Sequence, residues 1–96
     1  MILSDAWLHL LDLDDTERIN NNQIFSMLAD LGVFAKNPKI RLVIKSALEF
    51  GLWKLIKSQP TEIQVLDLRL RLQNEGFAND VIDSVISSFY KITENV

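Results

Sequence analysis

Residues 37–59, NPKIRLVIKSALEFGLWKLIKSQ, constrain the fold most, because no other stretch is both as long and as apolar. Asn37 suits an N-cap, and Pro38 suits the first helical position, where its missing N–H forfeits no hydrogen bond. From there Ile40, Val43, Ile44, Ala47, Leu48 and Gly51 share one helical face, with Arg41, Lys45 and Glu49 opposite. Beyond Gly51 the phase shifts. Leu52, Leu55 and Ile56 become the apolar set, and Lys54 falls in the sector that had been buried. The pattern predicts a long central helix, broken or kinked near Gly51, that resumes as a short second helix and ends before Pro60. The remaining helices must pack around this pair.

Residues 4–13 read as a first helix, with Ser4 as N-cap, Asp5 in the first turn and a stripe of Leu3, Trp7, Leu10 and Leu11 joined by Ala6 and Leu13. The segment DLDDTERINNN interrupts it, since aspartate and asparagine side chains compete for backbone hydrogen bonds and favour caps and turns. A helical turn started by Asp15 or Thr16 is compatible with this segment. A second helix over 22–31 turns Ile24, Phe25, Leu28 and Leu31 inward. Gly32 fits a left-handed stop, with Val33 able to touch Leu28. Val33 to Lys36 reads as the connection into the central helix.

Thr61-Glu62-Ile63-Gln64 has the order of a capping box, and Gly76-Phe77 repeats the helix-stop signal, so a helix is expected between them. The body of this segment is less clear, because Leu66, Leu68, Leu70 and Leu72 alternate with polar residues as a strand would. Helical end signals, good helix formers and the lack of a second strand to pair with favour helix. Such a helix is apolar on two sides, with Ile63, Leu66 and Leu70 on one and Val65, Leu68 and Leu72 nearly opposite. It is either sandwiched within the domain or leaves one side for a partner. The last helix is capped by Asn79, has Asp80 and Asp83 in its first turn and Lys91 near its end, and buries Val81, Ile82, Val85, Ile86, Phe89 and Ile92. The closing KITENV has no stop signal, as in a module of a longer chain.

Ninety-six residues suffice for one domain with a modest core, and 48% apolar with 24% charged residues is ordinary for a globular protein. Three glycines and two prolines are too few for a many-turned sheet. Zero cysteines exclude disulfides, thiolate metal sites and cysteine nucleophiles, and a cytoplasmic location is expected. No apolar run reaches the ~18 residues of a membrane span, and Asp5 interrupts the opening stretch where a signal peptide would be apolar. Charge is segregated. Residues 1–35 carry a net −5, residues 36–57 a net +5 and residues 58–96 a net −3. Such a pattern is neutralised within one folded molecule or between copies, and the plainest reading is a solvated helix face.

The chemistry-bearing residues argue against catalysis. His9 has no spaced partner for metal or acid–base work. Asp12, Asp14, Asp15 and Glu17 lack the glycine that a calcium loop needs, and capping explains them. No phosphate-cradling glycine loop is present, and the serines have no activating base at a useful spacing. The helix, Gly-Phe turn and helix over 62–92 have helix-turn-helix proportions, yet Asp80 and Asp83 stand where a recognition helix would meet phosphates. The bases Lys36, Lys39, Arg41 and Lys45 make a better footprint, but a short one without aromatic residues for stacking. Trp53 and Phe50 flank Gly51 and either cover the break or serve as an aromatic anchor for a partner.

The pattern Ala47-x-x-x-Gly51-Leu52-x-x-Leu55-Ile56 resembles segments of small helical adaptor domains of bacterial signalling and defence proteins, including death-like modules. The resemblance covers ten residues and carries no function with it. The expectation is an all-α chain, residues 1–96 forming one compact orthogonal bundle of five or six helices. It acts as a non-catalytic protein–protein interaction module, needs no cofactor or metal, and binds another protein or itself. The expected contact residues are Lys39, Arg41, Lys45, Trp53, Val65, Leu68 and Leu72. A nucleic-acid accessory domain and a small-ligand or metal sensor are the alternatives.

Overall fold

The computed structural model describes residues 1–13, 19–58 and 60–94, with side chains through Tyr90. Among these the regular structure is entirely helical: α1 (Leu3–Leu13), α2 (Asn21–Asp30), α3 (Val33–Lys36), α4 (Ile40–Glu49), α5 (Leu52–Lys57), α6 (Glu62–Asn74) and α7 (Asn79–Glu94). The radius of gyration, 12.3 Å, is close to the ~12.5 Å of a compact chain of this length.

Seven helices are present among the described residues, one more than the upper end of the five or six expected. Val33 to Lys36, read as a connection, closes a turn of its own through the Asn37 N–H to the Val33 carbonyl. A single turn holds too few apolar positions for a period to show. That turn also displaces the predicted cap, because Asn37 ends α3 and does not begin α4. The chain then passes through Pro38 and Lys39 with tight bonds from the Ile40 and Arg41 amides to the Asn37 and Pro38 carbonyls, 3.3 Å each. Ser4, expected as a cap, lies inside α1. Asn79 sits in the first turn of α7, and its Oδ1 accepts from Gln73 Nε2 at 2.8 Å, which ties α6 to α7. The segment 14–18, including any turn begun by Asp15 or Thr16, lies outside the described residues.

Other end signals act as read. Thr61 and Gln64 form a reciprocal capping box at the start of α6; Asn20 and Gln23 form another at the start of α2, one residue before the expected start and not anticipated from the sequence. At the end of α6, Gly76 (φ 93°) donates to the Gln73 carbonyl, and Phe77 donates to the Leu72 carbonyl. This is the paired bonding of a Schellman stop, and it decides the segment as helix. Gly51 stands between α4 and α5 at φ 97°, a backbone conformation that costs an L-residue about 1–2 kcal/mol. A Cβ added there meets no atom within 4 Å, so Gly51→Ala is expected to lower stability by that conformational cost alone. Thermal denaturation should register a fall of about 4–8 °C per kcal/mol.

The core forms where α7 packs on α1, α4 and α6 while α2 closes over α1, α3 and α4. Ile40, Val43, Ile44, Ala47 and Leu48 of α4 are buried, as the period predicted. Trp7 is fully buried, and its Nε1 donates to Ser88 Oγ at 2.9 Å. The Ser88 hydroxyl donates to the Val85 carbonyl, so this buried polar pair is internally satisfied. The Trp7 ring lies 6.1 Å from that of Trp53, which brings α1, α5 and α7 together at one point. The Asn21 side-chain amide donates to the Leu48 carbonyl at 2.9 Å, a second donor to a carbonyl at the end of α4 that also accepts from the Gly51 N–H, and so ties α2 to α4.

Candidate functional site

The two apolar sides of α6 have different fates. Val65, Leu68 and Leu72 are buried at 7, 2 and 0% exposure, whereas Ile63, Leu66 and Leu70 remain 79, 53 and 50% exposed. The residues assigned to a partner are therefore core, and the free side is the opposite one. Both sides are similarly apolar in sequence, so the helical period cannot rank them. The choice is made by α4 and α7, against which α6 packs, and by the Arg69–Asp83 ion pair between α6 and α7. Arg71 pairs with Asp67 one turn back along the helix. Both arginines of α6 are thus matched by carboxylates close to the exposed stripe.

Trp53 is likewise not a free anchor. It is 5% exposed and packed at a tilt against Trp7, with Lys57 Nζ 5.8 Å from its ring centre. Phe50 is half-buried beneath the Arg71 guanidinium, again at 5.8 Å. Of the proposed contact residues, Lys39, Arg41 and Lys45 are exposed together at the start of α4 and along its outer side. The Arg41 guanidinium lies 5.8 Å over the Phe25 ring, which in turn packs on Phe34 with ring centres 4.9 Å apart. Lys36, Lys39, Lys45 and Lys54 make no ion pair among the described residues. Among the described residues, then, these four lysines of the middle segment are not compensated by direct pairs.

Leu42 escaped the sequence reading. It is 66% exposed between Lys39 and Lys45, and its signal was present, as the one leucine of α4 that lies off the buried stripe. Hollows beside α5 open on either side of Gly51, Lys54 and Ser58. One is lined also by Trp53 and Glu49, the other by Phe50 and Asp67. Each holds a single carboxylate. His9 is exposed on α1, and no group of three His, Asp or Glu among the described residues is placed to hold a metal ion. Asp14, Asp15 and Glu17 lie outside the described residues. No described helix is long and apolar enough to cross a membrane. The arrangement offers surfaces, charged along α4 and apolar along α6.

No family model, curated protein or solved structure matches the chain.

Proposed function

We propose that this chain is a non-catalytic protein-interaction module that works through exposed helix faces, principally the Ile63, Leu66 and Leu70 stripe of α6. The observation that carries the reading is the two-sidedness of α6. A helix whose inner side already supplies three core residues has no folding need for three large aliphatic residues on the outside. The neighbouring arginines are paired, so an apolar partner can cover the stripe without stranding either of them. In this reading the bundle is orthogonal, with α4 and α5 crossing at Gly51, and the module works in the cytoplasm, a setting suited to a cysteine-free chain.

A photo-crosslinking residue placed at Leu66 should give a discrete protein adduct in the cells that make the protein, and one placed at exposed His9 should not. Mass spectrometry of the adduct separates a second copy from a different partner. Equal, diffuse labelling from both positions would overturn the proposal.

A further inference from the structure

We infer that the outer side of α4 docks an acidic amphipathic helix of a partner protein, with an apolar side chain seated on Leu42 and carboxylates meeting Lys39 and Lys45. The inference rests on the reading of the chain as an interaction module, but on a different surface from the α6 stripe. Lys39, Leu42 and Lys45 are spaced by three, so they form one of the oblique ridges along which helices pack, with about 4.5 Å of axial rise between successive members. The order along the ridge is cation, exposed aliphatic, cation. Its complement is carboxylate, aliphatic, carboxylate at the same spacing.

Charge argues for that occupant. Residues 36–57 carry Lys36, Lys39, Arg41, Lys45, Lys54 and Lys57 against one acid, Glu49, which lies exposed a turn beyond Lys45 on the same outer side, on a chain whose net charge is −3. A positive face on an otherwise negative molecule attracts and orients an acidic partner and repels a basic one. Asp67 and Asp83 of this chain are engaged by Arg71 and Arg69, so a second copy would have to present its other acids, and self-association of the chain through residues 39–45 would overturn the choice of a different partner. Nucleic acid fits less well. Leu42 would occupy the centre of the contact with nothing to offer a phosphate, Phe25 is half-buried beneath Arg41, and Trp53 is interior.

The test uses the whole chain and a synthetic helical peptide with the order Glu-x-x-Leu-x-x-Glu. Fluorescence anisotropy measures affinity, and amide chemical shifts locate the contact. Binding should perturb residues 39–45 and weaken about tenfold or more when the same peptide composition is scrambled. The double variant Lys39→Glu/Lys45→Glu, checked by circular dichroism for an intact fold, should lose the Glu peptide and gain the matching Lys-x-x-Leu-x-x-Lys peptide. Leu66→Ser should leave peptide binding unchanged, so this result and the fate of the α6 proposal can be told apart. Absent binding, equal binding of the scrambled peptide, failure of the charge swap, or tighter binding of duplex DNA than of the peptide would each overturn the inference.

Discussion

Replacing Trp7 with alanine is expected to destabilise the protein by about 3–5 kcal/mol, the cost of emptying a large aromatic site in a packed core. Stability for a domain of this kind is about 5–15 kcal/mol in total, so the variant should be partly unfolded at ambient temperature or melt far below the parent. Three losses coincide. The ring is wholly excluded from solvent, its Nε1 satisfies the Ser88 hydroxyl, and its face supports Trp53. Trp7→Phe separates them, since it keeps much of the apolar volume but removes the donor. It should cost about 1–3 kcal/mol, from the lost hydrogen bond and the space left by the smaller ring, since the Ser88 hydroxyl keeps its bond to the Val85 carbonyl. If the hydrogen bond matters, Trp7→Phe combined with Ser88→Ala should cost less than the sum of the two single changes. Urea denaturation followed by circular dichroism measures the parent and all four variants. A loss below ~1 kcal/mol for Trp7→Ala would show that the α1–α5–α7 junction does not hold the fold together.

The second large effect separates the two sides of α6. Leu68→Asp should abolish cooperative folding or come close to it, because a carboxylate enters a site that is 2% exposed and a cavity opens beside it. Leu66→Asp, two positions earlier and 53% exposed, should change stability by no more than about 0.5 kcal/mol. Thermal melts of the pair give the comparison directly. Similar losses in both would mean that α6 is buried all round, and the interaction proposal would lose its surface. The contrast also governs how binding experiments are designed. A Leu68 variant that fails to bind reports unfolding, whereas a Leu66 variant that folds and fails to bind reports the contact.

Much of the helical layout is legible in the chain because its causes are local. The Thr61–Gln64 box, the Gly76–Phe77 stop and the five buried positions of α4 each depend on residues within a turn or two of one another. The misread ends have equally local rivals. Asn37 is claimed by the short α3, and Asn79 is engaged by Gln73 across the turn. Neither competitor shows in a hydrophobic period. Leu42 could have been found from sequence, as an aliphatic residue off the α4 stripe with a lysine one turn to either side.

By itself the sequence determined that this protein is helical, where most of its helices stop, and that its positive charge gathers on the middle segment. Only the tertiary structure decided that Val65, Leu68 and Leu72 turn inward while Ile63, Leu66 and Leu70 face out, that Trp53 joins Trp7 in the interior, and that the acids near α6 pair with its own arginines. The reason is physical. Helical periodicity and capping are set by neighbours along the chain, but the choice between two equally greasy sides of one helix depends on which other helices stand against it.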